Sequence, residues 1–444
     1  MQRCSMARGK KKEELTLEEK LEQALVPVEE QPYEVPGNWC WIHLLDAFDN
    51  VTDSKKKLTT KEYLVEGEYP VIDQGQEFVG GYTDNKDVVY EGELPIVIFG
   101  DHTRCVKYID FFFVQGADGV KVLRPKSFWN AKAFYYALQS IEIPNMGYRR
   151  HYPLFKDFGI PIPPLAEQQR IVEQIESLFA KLDEVKEKVQ EVIASIDDNV
   201  EALLYKAFTG QLTNDWRNSN IEIEKWEDTT LSEIVSGLKY GSSEKSDYEY
   251  KGTPILRIPN IGDGIIDFSD LKYMSEELKN SSHEVFEDDI LIIRSNGSRD
   301  LVGKCALVPK LQERYAYASF LIRVKVTEKV LPEYLVRFIN SSMARAQMFD
   351  KAKSSSGIHN INSKELGAIK ICVPSIKEQK QILICIQEFV NKEKRVQEIS
   401  EEMLGSIDRM KKSILAKAFR GELGTNNPDE ESAIELLKTM LVEA

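Results

Sequence analysis

The sequence predicts a mixed α/β (α+β) chain with two globular domains in tandem, separated by two long helices that form an antiparallel intramolecular coiled coil. Three observations predict it. The stretch 155–212 reappears at 366–423 with a constant offset of 211 residues. Each copy carries a heptad pattern of apolar residues, and the two segments left over share a plan. Self-similarity at a fixed offset decides the architecture before any local pattern is read.

The duplication shows in identities that need no gap. Pro163, Glu167, Gln168 and Ile171 fall on Pro374, Glu378, Gln379 and Ile382. Ser195-Ile196-Asp197 falls on Ser406-Ile407-Asp408, and Lys206-Ala207-Phe208 on Lys417-Ala418-Phe419. Gly210 and Leu212 fall on Gly421 and Leu423.

Each copy reads as one helix. After Pro161, Pro163 and Pro164 no proline or glycine occurs until Gly210. Apolar residues recur at steps of four and three through Ile171, Ile175, Leu178, Leu182, Val185, Val189, Val192 and Ile196. The second copy gives Ile382, Ile386, Phe389, Val396, Met403, Ile407, Met410 and Ile414, with Glu393 and Ser400 as polar interruptions. A seam this long and narrow is the mark of a coiled coil. Gly210 and Gly421 stand where C-terminal stops belong. Residues 165–207 hold 5 Lys/Arg against 10 Asp/Glu, and residues 376–418 hold 9 against 7. Opposite net charge favours pairing the two helices with each other.

The segments between them, 33–153 and 215–365, repeat one order of elements. A tryptophan-containing stretch (Trp39-Cys40-Trp41; Trp226) is followed by a short strand beginning with proline (Pro70-Val71-Ile72; Pro254-Ile255-Leu256). A buried apolar strand follows, over 94–99 or 289–293, and ends in a polar turn: Gly100-Asp101-His102-Thr103-Arg104 or Arg294-Ser295-Asn296-Gly297-Ser298-Arg299. A helix is expected over 131–140 and over 332–343, then a polar loop at 145–151 and at 354–362. Shared scaffolds with divergent loops predict two readers of two different targets. The terminal stretches 15–25 and 429–441 also read as helical.

Composition bounds the function. The 444 residues are 42% hydrophobic and 29% charged, with 58 Lys/Arg against 72 Asp/Glu and a net charge of −14. That balance argues against a surface coated in cations, though not against a local basic face. No apolar run is long enough to span a membrane. Met1–Glu14 is polar, with Lys10, Lys11 and Lys12, and lacks the apolar core of a secretory signal. The six cysteines (Cys4, Cys40, Cys105, Cys305, Cys372, Cys385) are scattered without a C-x-x-C pair, as in a reduced compartment. The expectation is a cytoplasmic protein with no membrane association.

Catalytic motifs are not apparent. Gly297 to Gly303-Lys304 has five intervening residues where a phosphate loop has four, and Cys305 replaces the magnesium-binding hydroxyl. No dinucleotide-type glycine motif follows a strand. Glu184-Val185-Lys186 matches the tail of a nuclease signature but lies inside the heptad helix. The histidines (His43, His102, His151, His283, His359) have no metal-ligand spacing. Neither a metal nor a resident cofactor is expected. What remains is hydrogen-bonding and cationic residues in turns, the types that read base edges and hold phosphates. The candidate DNA-binding residues are Gln74, His102, Arg104, Lys107, Tyr148 and Arg149 in the first domain. In the second they are Arg257, Asn260, Arg294, Asn296, Arg299, Lys304, His359 and Asn360.

The helix entry Pro161-Ile162-Pro163-Pro164-Leu165-Ala166-Glu167-Gln168, the exit Lys206-Ala207-Phe208-Thr209-Gly210 and the turn Gly100-Asp101-His102-Thr103-Arg104 resemble those of the specificity subunits of Type I restriction–modification systems. The resemblance is carried by Pro161-Ile162-Pro163-Pro164-Leu165-Ala166-Glu167-Gln168-Gln169-Arg170-Ile171-Val172 and its second copy, Val373-Pro374-Ser375-Ile376-Lys377-Glu378-Gln379. The helix exits at 206–212 and 417–423, Gly100-Asp101-His102-Thr103-Arg104 and Tyr69-Pro70-Val71-Ile72 also carry it. Ser375-Ile376-Lys377 departs from the Pro-Leu-Ala of the first copy. The resemblance implies an N-terminal helical segment (1–32), target-recognition domain 1 (33–154) and spacer helix 1 (155–212). Target-recognition domain 2 (213–365), spacer helix 2 (366–423) and a C-terminal helical tail (424–444) complete it. It further implies a non-catalytic subunit whose domains each bind half of a split double-stranded DNA target. The helices would set the gap and dock two modification (methyltransferase) subunits that methylate adenine with S-adenosylmethionine. Restriction (translocase/endonuclease) subunits would add ATP-driven translocation and cleavage. The terminal helical stretches are expected to touch the modification subunits. Each target domain nets about −3, so much of the phosphate grip is expected from those partners. The competing reading is a coiled-coil scaffold presenting two adaptor domains, with no DNA role.

Overall fold

The computed structural model describes residues 16–117, 119–220, 225–279, 281–351, 353–355 and 358–443. The lysine-rich start with Cys4, the first residue of the expected N-terminal helix (Leu15), and Ser356-Gly357 of the second polar loop lie outside the described residues. The chain divides into two compact units, Met1–Lys188 with Met403–Ala444, and Val189–Glu402. The dividing line crosses both long helices, Leu165–Phe208 and Ile376–Ala418.

In the first unit, strand Cys40–His43 pairs antiparallel with Gly159–Ile162, just ahead of the long helix. A four-stranded sheet follows the order Phe48–Asn50, Val120–Pro125, Ile96–Gly100, Val106–Ile109. A three-stranded sheet has Tyr69–Ile72 between Gly81–Thr83 and Val114–Gln115. Helix Ala131–Ser140 starts at Asn130, whose side chain accepts from the Lys132 and Ala133 amides, as a good N-cap does. The second unit repeats the scheme. Glu227–Thr230 pairs with Lys370–Val373, and a five-stranded sheet is built around Ile290–Ile293, all four of its residues buried. Continuous apolar runs make central strands because both faces are covered.

The duplicated Glu-Gln pair explains how each long helix is seated. Glu167 is fully buried and accepts from Trp39 Nε1 at 2.7 Å, Asn426 Nδ2 at 2.8 Å and Thr425 Oγ1 at 3.2 Å. Glu378, equally buried, accepts from Thr213 Oγ1 at 2.6 Å, Arg217 Nη2 at 2.7 Å and Trp226 Nε1 at 3.1 Å. Gln168 donates to Phe128 and Pro163 carbonyls at 3.0 Å each and accepts from the Asn130 amide at 2.7 Å. Gln379 does the same with Lys329, Pro374 and Leu331. Every buried polar atom of the motif is thus paired, as burial demands. Each pair ties a helix start to the tryptophan stretch and to the helix of its own domain.

Within each unit the two long helices share a core and run antiparallel. Ile171, Val172 and Ile175 pack in one cluster with Leu415, Ala418 and Phe419 in the first unit. Leu204, Ala207 and Phe208 pack with Ile382 and Ile386 in the second. Lys411 Nζ lies 2.5 Å from Asp183 in the first unit. The heptad seam is not buried throughout. Ile171, Ile175, Val189, Ile382, Ile386 and Ile407 are buried, whereas Leu178, Leu182, Ile196, Phe389 and Ile414 are half-covered. Val185, Val192, Val396, Met403 and Met410 are exposed. The helix ends are wedged into globular cores, and toward mid-helix a single partner helix leaves one flank open. Ser400, expected as a polar interruption, is buried. Gly210 and Gly421 both adopt φ +75°, the left-handed stop their positions predict.

Two further differences from the sequence reading lie in the second unit. The helix expected over 332–343 ends at Asn340, and a second helix, Ser342–Lys351, follows. The loop expected over 354–362 contains strands Lys353–Ser355 and Ile358–Asn360, which pair with each other and with Ser295–Asn296. The terminal helices Leu17–Ala24 and Ala433–Glu443 pack against each other and onto the first unit's core through Leu21, Ala24, Ala433 and Leu437. Their apolar faces are turned inward. The domain boundaries drawn at 154 and 365 fall just before Gly159–Ile162 and Lys370–Val373, strands that complete the sheets of Cys40–His43 and Glu227–Thr230.

Candidate nucleic-acid interface

In the first unit three loops meet at the end of strand Ile96–Gly100. The turn 100–105 leaves this strand, the Gln74 loop lies beside it, and the 143–151 loop closes over it. Gln74 Oε1 accepts the His102 amide at 3.0 Å, and its carbonyl accepts Thr103 Oγ1 at 2.6 Å. The His102 ring stacks on Tyr148 with centroids 4.9 Å apart and planes 14° from parallel. Tyr148 is 87% exposed, and Arg149 beside it is also exposed. An exposed aromatic face with a neighbouring cation suits contact with bases and phosphates. Gln74, His102, Tyr148 and Arg149 are therefore brought to one surface.

Arg104 belongs to the same turn but points back into it. Its Nη1 donates to the Ile143 carbonyl at 2.9 Å. Its backbone sits at φ +62°, where the second unit has Gly303 at φ +89°. The two occupy corresponding places, since Arg104 N donates to Gly100 O and Gly303 N to Ile293 O. A left-handed arginine costs about 1 kcal/mol, of the order of the bond it makes. Arg104→Gly is therefore expected to keep the unfolding free energy within about 1 kcal/mol of the parent. Arg104→Ala keeps the strain, loses the bond and should be the less stable variant; urea denaturation of the pair checks this.

Lys107 does not join the surface. Only 4% exposed, it donates its ammonium protons to the Asp73 carbonyl at 2.9 Å and to the Glu77 carbonyl at 2.6 Å. Burial pulls its pKa below the ordinary lysine value, against the pull of Asp73. It is a structural tie within the first unit and not a candidate DNA contact.

In the second unit the turn after Ile290–Ile293 and the 358–362 segment come together by strand pairing. Ser295 pairs with Asn360 and Asn296 with His359. The Arg294 guanidinium lies 4.4 Å from the centre of the Tyr240 ring and reaches Asn360 Oδ1 at 3.4 Å. Arg294, Asn296, His359 and Asn360 thus form one group. Arg299 lies exposed on the same turn, over the Phe349 ring at 4.7 Å. Lys304 is taken up by Asp263 at 2.9 Å.

Arg257 and Asn260 stand apart. Asn260 is fully buried, its side chain donating to the Asp267 and Asp270 carbonyls and accepting the Arg257 amide. It closes a turn and cannot meet a base. Arg257 is half-buried against Asp270 at 3.2 Å and lies over Tyr248 at 5.8 Å.

The structure adds residues that the sequence reading missed. An open cleft of about 360 Å³ beside Arg257 is lined by Ser242, Ser243, Glu244, Lys245, Ser319 and the exposed Phe320. Phe320 accepts the Arg294 amide through its carbonyl, so the cleft adjoins the Arg294 group. The hydroxyls, Lys245 and Arg257 are phosphate-holding chemistry, with the Glu244 carboxylate opposing them. The signal available was Gly241-Ser242-Ser243, a turn sequence after Val235–Tyr240.

Among the described residues no group of three or more His, Cys, Asp or Glu side chains is placed to hold a metal ion. No described helix is long and apolar enough to cross a membrane.

Comparison with known proteins agrees with this geometry. The model of the Type I restriction modification DNA specificity domain matches residues 36–194 and 223–402. The Type I restriction enzyme EcoKI specificity subunit of Escherichia coli (strain K12) is 33% identical over 299 residues, 65% of this chain and 64% of that protein. The StySPI specificity subunit of Salmonella potsdam is 27% identical over the same shares. The chain thus spans under two thirds of these relatives' length. Among solved structures, the HsdS subunit from Thermoanaerobacter tengcongensis has a TM-score of 0.51 at 16% identity, over 89% of this chain and all of that one. A chain from a study of type I restriction–modification complex assembly has a TM-score of 0.57 at 17% identity, over 88% of this chain and all of that one. At these identities the structural likeness speaks for the fold.

Proposed function

The chain belongs to the Type I restriction modification DNA specificity family, and from that premise we propose that it selects the DNA sequence on which a restriction–modification complex acts. Its two tandem target-recognition domains each read one half of a split double-stranded target. The first uses Gln74, His102, Tyr148 and Arg149, and the second Arg294, Asn296, Arg299, His359 and Asn360. The paired long helices fix the unspecified gap and carry two modification subunits. Their exposed mid-helix residues Val185, Val192, Val396, Met403 and Met410 supply apolar contact for such partners. Adenine methylation with S-adenosylmethionine, and ATP-driven translocation and cleavage, are the work of modification and restriction subunits in the cytoplasm. This chain itself is non-catalytic.

One observation carries the reading. The two units seat their helices with the same Glu-Gln motif and then differ in the loops that meet at the strand end. A conserved frame presenting unlike polar loops suits two unlike half-sites. A scaffold with two adaptor domains has no comparable support.

The test is to map methylated adenines across the genome with and without this gene, with the modification subunit expressed in both cases. One split motif should disappear with the gene. Retention of every motif would overturn the proposal.

A further inference from the structure

We propose that His151 is a positioning residue of the first target-recognition domain, a neutral imidazole that locks the 145–150 loop, and with it Tyr148, onto the turn after Ile96–Gly100. The inference rests on the reading of that domain as a DNA reader and names the residue on which its geometry depends.

His151 is fully buried. Its ring Nδ1 lies 2.8 Å from the Asp101 carbonyl oxygen, and its backbone amide donates to that same oxygen at 2.8 Å. Its Nε2 lies 3.1 Å from the Met146 amide nitrogen. A carbonyl can only accept and an amide N–H can only donate. The ring must therefore carry its proton on Nδ1 and keep a lone pair on Nε2. One tautomer of the neutral ring satisfies both contacts, and no other form does.

These two bonds join the turn to the far side of the loop. Asp101, itself buried, accepts the Tyr152 amide at 2.8 Å through Oδ1 and donates its own amide to Gly119. The next residue, His102, carries the ring on which Tyr148 stacks. Met146, the other end of the clamp, lies two residues before Tyr148. Between them Gly147, at φ +68°, has open space where a side chain would begin. At Gly147 the loop crest thus has no packing of its own, and the Tyr148 ring rests on His102 alone among the ring contacts of the described residues. Three other ties reach the loop: Arg104 on the Ile143 carbonyl, His102 Nδ1 at 3.2 Å from the Tyr148 carbonyl, and Arg150 Nε at 4.0 Å from Asp101 Oδ2. Each comes from a side chain that is partly or largely exposed.

The second unit shows that the place does not require a histidine for packing. Ile361 takes the corresponding position, buried, with its amide on the Arg294 carbonyl at 2.9 Å. There the loop is held by the pairing of Ser295–Asn296 with Ile358–Asn360. The first domain has no such ladder among its described residues and uses ring hydrogen bonds instead. An isoleucine at 151 should therefore fill the core while releasing the loop.

The test uses the complex assembled with its modification subunits and competitor duplexes carrying single-base changes in each half-site. Tyr148→Ala identifies the half that the first domain reads. His151→Ile should lower discrimination there by about tenfold, the scale of one lost base contact, and leave the other half within about twofold. His151→Gln, which can still accept the Met146 amide, should recover part of the loss. The double variant Tyr148→Ala/His151→Ile should lose no more than Tyr148→Ala alone, since one residue acts through the other. In the free chain, hydrogen exchange at the Met146 amide should quicken in His151→Ile and less so in His151→Gln. Unchanged exchange in His151→Ile would overturn the lock, and equal loss at both half-sites would overturn its assignment to the first domain. A parent complex that shows no half-site discrimination would instead sink the DNA reading, leaving the exchange result to judge the clamp by itself.

Discussion

Glu378→Ala is expected to destabilise the second unit by about 3–5 kcal/mol, the cost of breaking a buried charge pair from one side. The carboxylate is fully buried and accepts from Thr213, from two nitrogens of Arg217 and from Trp226. Removing it strands a guanidinium and two neutral donors together. The corresponding Glu167→Ala should cost less, about 2–3 kcal/mol, because the donors bonded to it, Trp39, Thr425 and Asn426, are all neutral. Urea unfolding followed by tryptophan fluorescence measures both, with Trp226 and Trp39 as built-in reporters. Equal losses in the two variants would show that charge is not what separates the sites.

Inserting seven residues after Lys188 and seven after Glu402 is expected to lengthen the unspecified gap of the target by about three base pairs. A heptad adds about 10 Å at 1.5 Å per residue, and a base pair of B-form DNA spans about 3.4 Å. A whole heptad preserves the face each helix turns toward its partner. Insertion into one helix alone should abolish modification, because it shifts the Asp183–Lys411 pair and the cores at one end out of register. Methylation mapping reads both outcomes. A lengthened pair that still marks the original spacing would end the ruler reading.

The long helices were legible to within a residue of their ends. Prolines and glycines bracket them, and period alone marks the stretch between. The buried strands 96–100 and 290–293 were legible for a similar reason, as uninterrupted apolar runs. What was not legible depends on partners distant in sequence. Nothing local in 353–360 announces strands, because they form only against Ser295–Asn296. The seam exposed at Val185 and Met410 was hidden because a heptad pattern states which face is apolar, not how much surface is available to cover it.

The candidate site was legible as a set of loops more than as a set of residues. Choosing by residue type admitted Lys107 and Asn260, whose polar atoms are consumed inside the fold. For Lys107 a signal existed. In Val106–Ile109 alternate residues are buried, and Lys107 shares its face with the fully buried Ile109. For His151 none did, since its role lies in two backbone partners that the chain brings back from residues 101 and 146.

The inward-turned tail has a consequence for how the molecule is made. The second unit is one continuous stretch, whereas the first takes Leu415, Phe419, Ala433 and Leu437 from the far end of the chain. During synthesis, residues 189–402 emerge with every contact of their own unit already available, but the first unit must wait for its last apolar side chains. Until then Trp39, Ile171 and Ile175 lack part of the surface that covers them, and such exposed patches invite aggregation. The later half of the chain is therefore set to fold before the earlier half is finished, reversing the usual vectorial order on the ribosome. Helix Ala433–Glu443 supplies the closing contacts of that core.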